Sequence, residues 1–248
     1  MAGHSKWAQI KRQKGVADAK RGQLFTKLGR EITVAARVGG PDPDGNPRLR
    51  LAIQRARESN MPMDVIKRAI DRGAGSGDAA ALEEVVYEGY GPGGTAILVE
   101  AMTDNRNRTV AEIRNAFTRG GGSLGESGCV AWNFDQRGVV AVEPNGADPE
   151  VIALQAIEAG AEDFQVAGDT VEVYTDPSAV DQVRQALEQQ GLRVASAETA
   201  MVPKTTLELD AGEAVSVMKL MERLEDLDDV QRVYSNLDVS EEALRQFA

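Results

Sequence analysis

A change of periodicity partway along the chain constrains the fold more than any other feature. Up to Gly73, apolar residues recur at helical spacing. Beyond the polar, glycine-rich stretch 73–78 they fall into short strand-like runs that alternate with helices. The charge changes sign at the same place. Residues 1–75 hold 16 Lys/Arg against 7 Asp/Glu, a balance of +9 in a chain of net −11, so the remaining residues sum to −20. A basic helical unit followed by acidic α+β units is the organisation this predicts.

In the first unit Leu24, Leu28, Ile32 and Ala35 predict a helix over about 20–38, stopped by Gly39, Gly40 and Pro41. On that helix Lys20, Lys27, Arg30 and Arg37 form an arc away from the apolar stripe, so one face packs and another is basic. Asn46 as N-cap, with Pro47 at the first helical position, announces a second helix whose buried stripe is Leu49, Ala52, Ile53 and Ala56. A third runs from near Pro62 to Gly73 and buries Ile66, Ala69 and Ile70.

Beyond the boundary, a strand over 95–102, a helix over 107–119 and a strand over 129–134 make a βαβ unit. In its last strand Val130, Trp132 and Phe134 point to one side, into the core. A strand over 205–209, a helix over 211–224 and a strand over 230–234 complete the unit as βαββαβ. The stretch between is self-sufficient: strand 139–143, helix 149–159, strands 163–166 and 170–174, helix 178–190 and strand 193–201. The expected fold class is α+β, an N-terminal three-helix domain followed by two ferredoxin-like (βαββαβ) domains, one inserted into the other. The expected boundaries are 1–77, then 78–136 together with 203–248, with 137–202 inserted.

Several function classes are disfavoured. The single cysteine, Cys129, cannot form an internal disulfide, and the single histidine, His4, cannot build a His-rich metal site. The glycine stretches 89–94 and 120–128 lack the Lys-Ser/Thr of a P-loop, and each is followed by a strand rather than a helix, so they read as turns. Glu222, Glu225, Asp226, Asp228 and Asp229 read as a solvated helix end, and no carboxylate pair is isolated in an apolar setting. No catalytic residue, cofactor or metal is expected. Lys6, Lys11, Arg12 and Lys14 interrupt any signal-peptide core, and no uncharged run approaches membrane-spanning length, so the expected setting is the cytoplasm, without membrane contact.

What remains is binding. Lys6, Lys11, Arg12, Lys14, Lys20 and Arg21 place six cations within sixteen residues, opposed only by Asp18, a density suited to phosphates. Lys27 and Arg30 extend the set along the first helix. Trp7, inside the basic run, either stacks on bases or anchors the tail to the helices. Phosphate contacts carry no sequence information, so duplex DNA and ribosomal RNA, with the ribosome as a partner, both fit.

Several runs closely resemble the YebC/PmpR family: residues 1–7, Lys14-Gly15, 18–22, 25–28, 30–37, Asp42-Pro43, 46–50, 60–62, 87–94, 103–109 and 120–128. The resemblance covers essentially the full chain and implies three domains, one helical and two α+β. It also implies a DNA-binding transcriptional regulator; relatives, including a mitochondrial activator of translation, act at the ribosome. Gln9, Arg12 and Gln13 stand where the family more often has Asn, His and Arg, and Gly29 replaces a larger apolar residue in the first helix.

Overall fold

The computed structural model describes residues 18–75, 82–167 and 170–247, with 18–20 and 167 by backbone alone. They form two compact units: residues 133–206, and a second unit that joins the helical N-terminal part to the rest of the α+β chain.

The second unit begins with three helices, α1 (Asp18–Gly39), α2 (Pro47–Glu58) and α3 (Met63–Ala74). Their apolar stripes meet in one core of Leu28, Ile32, Ala35, Leu49, Ala52, Ile53, Ala56, Ile66 and Ala69, as the spacing predicted. Asn46 does more than cap α2. Its Oδ1 accepts from the Leu49 amide, while its Nδ2 donates to the Ala35 and Gly40 carbonyls, tying the end of α1 to the start of α2. The α1–α3 crossing is close because Gly73 has no side chain: a Cβ there would lie 2.3 Å from the Thr33 carbonyl oxygen. Thr33 seals the same crossing by donating its hydroxyl to the Ala69 carbonyl.

Next come β1 (Glu83–Tyr90) and β2 (Ala96–Thr103), an antiparallel hairpin turned by Pro92–Gly94, then α4 (Arg106–Arg119) and β3 (Ser123–Leu124). Asn105 caps α4 by accepting the Arg108 amide. The chain then enters the other unit, with β4 (Phe134–Glu143), α5 (Pro149–Glu158), β5 (Asp163–Ala167), β6 (Thr170–Thr175), α6 (Val180–Gln189) and β7 (Arg193–Pro203). Its antiparallel sheet has the order β5-β6-β4-β7, the ferredoxin-like arrangement expected from the element order. On returning, the chain adds β8 (Leu207–Glu208), α7 (Ala211–Glu225), β9 (Val230–Ser235), β10 (Leu237–Asp238) and α8 (Glu241–Phe247). The sheet of this unit is β3-β1-β2-β9, with β8 and β10 as a separate parallel pair.

The α+β class holds, with β8, expected as a strand of this unit's sheet, pairing instead with β10, and with two further differences in detail. First, β1 was not expected, because Glu83, Glu84, Glu88 and Gly89 are poor strand formers. Its pairing with β2, a strand buried on both faces, overrides that preference. Second, residues 129–134 are not a strand. The Glu88 carboxylate, 5% exposed, accepts the amides of Gly128, Val130 and Ala131 and wraps the backbone around itself. Those donors are the ones a strand would have used. Val130 is still buried and Phe134 opens β4, but Trp132 is 67% exposed, its indole N–H held by the Cys129 carbonyl.

The glycines of the helical part separate cost from need. At Gly29 a Cβ would meet only the Met61 methyl at 3.9 Å, ordinary contact. Gly29→Ala should stabilise the protein by about 0.5–1 kcal/mol, raising Tm by roughly 2–4 °C. Gly73→Ala should destabilise it by about 1–3 kcal/mol, since the crossing must open. Thermal unfolding of the two variants, followed by circular dichroism, reads both signs.

Candidate nucleic-acid interface

Of the residues assigned to phosphate contact, Lys6, Trp7, Lys11, Arg12 and Lys14 lie outside the described residues, and Lys20 is described by its backbone in the first turn of α1. Arg21 is exposed on that helix. Lys27 and Arg30 are placed differently from the rest. Lys27 Nζ donates to the Glu225 carbonyl, and Arg30 Nη1 reaches the Met102 and Asp228 carbonyls and, at 2.8 Å, Asp229 Oδ1. Gln23 donates to the Asp226 carbonyl and to Asp228 Oδ1. Arg37 donates to the Leu82 carbonyl.

The acidic run at the end of α7 is therefore not a solvated helix end. A helix leaves its last carbonyls without partners and carries partial negative charge there. In α7 these are the carbonyls of Glu225 and Asp226, and Lys27 and Gln23 satisfy them from α1. Gln23 and Lys27 of α1 thus engage the C-terminal end of α7.

Asp229 is the centre of this contact. It is 2% exposed; Oδ1 pairs with Arg30, and Oδ2 accepts from Arg108 Nη2, the Thr109 hydroxyl and the Thr103 hydroxyl at 2.7–3.1 Å. Burial pushes its carboxyl pKa up, but the Arg108 and Thr109 hydrogen bonds and the Arg30 charge outweigh burial and hold it below the ordinary value. Glu31, nearby on α1, bridges Arg55 of α2 and Arg232 of β9.

Cations left for a polyanion lie elsewhere on the helical part. The Arg57, Lys67 and Arg72 side chains are exposed and make no hydrogen bond or ion pair among the described residues. By contrast Arg48 pairs with Glu84, Arg55 with Glu31 and Arg68 with Asp64. Arg57, Lys67 and Arg72 are not among the cations singled out from the sequence. The signal was present: they fall off the apolar stripes that place α2 and α3.

Two groups carry chemistry of other kinds. Burial, with Glu88 and Glu126 nearby, pushes the Cys129 thiol up, which keeps it protonated at neutral pH. Burial also raises the Glu100 carboxyl, a shift the sequence did not signal, against the opposing Arg232 charge and the Tyr234 hydrogen bond. No described helix is long and apolar enough to cross a membrane.

A carboxyl whose folded pKa is depressed contributes stability that is in place above its unfolded value, about 3.9, and is lost as pH falls through the lower folded value. Asp229 is such a group. Asp229→Asn should cost about 1–3 kcal/mol at neutral pH, because Arg30 and two buried threonines lose their acceptor. It should also remove this residue's share of the stability loss below about pH 4. Urea unfolding across that range checks both; equal slopes for the two proteins in acid would contradict the depressed pKa.

Comparison with known proteins places this geometry in a family. The N-terminal domain profile of the TACO1/YebC proteins matches residues 5–76, and the profile of their second and third domain matches residues 82–237. A probable transcriptional regulatory protein of Herpetosiphon aurantiacus is 55% identical over 249 residues, covering 100% of this chain and 99% of the relative. One from Roseiflexus castenholzii is 56% identical, covering 100% and 99%. The crystal structure of a conserved hypothetical protein of Aquifex aeolicus, Aq1575, superposes with a TM-score of 0.83 at 47% identity, covering 90% of this chain and 93% of that one. The chain belongs to the TACO1/YebC family.

Proposed function

We propose that this protein is a non-enzymatic, cytoplasmic regulator of gene expression that binds duplex DNA through its basic N-terminal part. The observation that carries the reading is the charge segregation, +9 over residues 1–75 in a chain of −11. A polyanion responds to the local field of one face, not to the net charge. The names of the relatives, probable transcriptional regulatory proteins, support the regulatory role.

In this reading Lys6, Lys11, Arg12, Lys14, Lys20 and Arg21 carry the phosphate contacts, and Trp7 stacks on bases or anchors the tail. Arg57, Lys67 and Arg72, whose side chains have no partner among the described residues, rank next. Lys27 and Arg30 reach phosphate only by exchanging the partners they hold at residues 225–229. The acidic α+β part repels nucleic acid from the other faces.

Replacing Lys11, Arg12 and Lys14 together by Ala should weaken binding to every sequence and flatten the slope of log K against log salt by up to about three. Titration of labelled duplex DNA over a range of salt concentrations measures this, and an unchanged slope overturns the assignment of the tail. Co-sedimentation with ribosomes at the same salt decides the target. DNA binding that survives nonspecific competitor supports the proposal; salt-resistant ribosome binding with only weak, sequence-blind DNA affinity replaces it with a translation factor on ribosomal RNA.

A further inference from the structure

The acidic side of the second unit leaves Arg114, Arg119 and Arg223 without a carboxylate among the described residues. Arg106 pairs with Glu83, Arg108 with Asp104 and Asp229, Arg232 with Glu31 and Glu100, and Arg245 with Glu241. The Arg119 and Arg223 side chains have no hydrogen bond or ion pair among the described residues, and the two residues line the same cleft. The cleft lies between α4 and α7, measures about 210 Å³, and is completed by Glu112, Asn115, Ala116 and Leu227.

Each arginine sits in the last turn of its helix, where a cation complements the helix dipole. That accounts for each position taken alone. It does not account for the two arginines, from two helices, lining one concavity together with Asn115. The cleft is also held in shape. At Gly120, just past the end of α4, a Cβ would lie 2.6 Å from Leu220 of α7, so the two elements touch backbone to side chain there. Of the nearby acids, Asp228 binds Gln23 and Asp229 binds Arg30 and Arg108, while Glu112 stays in the cleft lining.

We propose that this cleft binds the phosphate group of a nucleotide. A guanidinium offers a planar fork of donors that matches phosphate oxygens two at a time. Arg119 and Arg223 supply two such forks, and Asn115 supplies a neutral donor. Ala116 and Leu227 give an apolar wall for the sugar. Glu112 accepts from a sugar hydroxyl or base amino group and repels a second phosphate, so the cleft takes one phosphoryl group beside a hydrogen-bond donor. The phosphate comes either from a free mononucleotide or from one link of a polynucleotide, and the site is separate from the tail contacts proposed above.

Titrating the full-length protein with adenosine monophosphate, and separately with a short single-stranded RNA, while following arginine side-chain N–H resonances by NMR, tests this. Saturable shifts of Arg119 and Arg223, weakened at least about tenfold in Arg119→Ala/Arg223→Ala, are expected. Arg114→Ala, on the same helix but outside the cleft, should bind as the unaltered protein does. Saturation by the mononucleotide with no gain from RNA identifies a free nucleotide as the ligand, and shifts with RNA alone identify a backbone link. If neither probe moves the two resonances, or the double variant binds both as before, the proposal is overturned, while the salt slope of the tail variant still reads the N-terminal contacts independently.

Discussion

The second unit is organised around one buried carboxylate. Asp229 touches α1 through Arg30, the start of α4 through Arg108 and Thr109, and the end of β2 through Thr103, while its own carbonyl accepts the Met102 amide. Removing an ion from water costs several kcal/mol, and a single surface-like pair returns about 4 kcal/mol at 4 Å and an effective dielectric near 20. One partner barely offsets burial. Two guanidiniums and two hydroxyls do, with one donor on Oδ1 and three on Oδ2. The helical part is therefore joined to the α+β part by a polar hub rather than by core packing alone, and a change at any member of the hub is felt on three elements.

That hub changes how the charge pattern of the chain is read. The polar arc of α1 looks like a surface for a polyanion when it is drawn as a helical wheel. In the fold, its middle caps the carbonyls at the end of α7 and balances Asp229. Part of the positive charge of the N-terminal segment is thereby neutralised internally. The field available to an external phosphate comes from the cations with no internal anion, which among the described side chains of α1 to α3 include Arg57, Lys67 and Arg72. A count of charges overstates the interface, and the partners of each charge correct it.

How far the sequence carries differs sharply between features. Helical stripes and caps act over three or four residues, so Leu28, Ile32, Leu49 and Ala56 found the core and Asn46 found its cap. The 133–206 unit was readable for the same reason, its element order already implying the β5-β6-β4-β7 sheet. What failed depends on residues distant in sequence. The loop at 125–131 is shaped by Glu88 from another strand, and the role of residues 225–229 is set by α1, roughly two hundred residues earlier. A glutamate in a strand-poor segment gives no local sign that it will gather three amides. A run of acids gives none that a helix of opposite charge will cover it.

The insertion obeys the same distinction between local and distant contacts. An inserted unit is tolerated when its two ends leave together, because a closed neck spares the host the entropy of holding a long loop. Here Phe134 of β4 pairs with Pro203 of β7, so the first and last strands of the 133–206 unit are neighbours in its sheet. Asn133 ties the neck more tightly: its Oδ1 accepts from the Thr205 amide and hydroxyl, its Nδ2 donates to the Thr205 carbonyl, and its own carbonyl takes the Lys204 amide. A buried side chain that both donates and accepts across the neck holds two chain ends in register at little entropic cost. The βαββαβ unit closes on itself before the chain resumes at Leu207, which lets β8 to α8 complete a sheet whose other strands were laid down more than a hundred residues earlier.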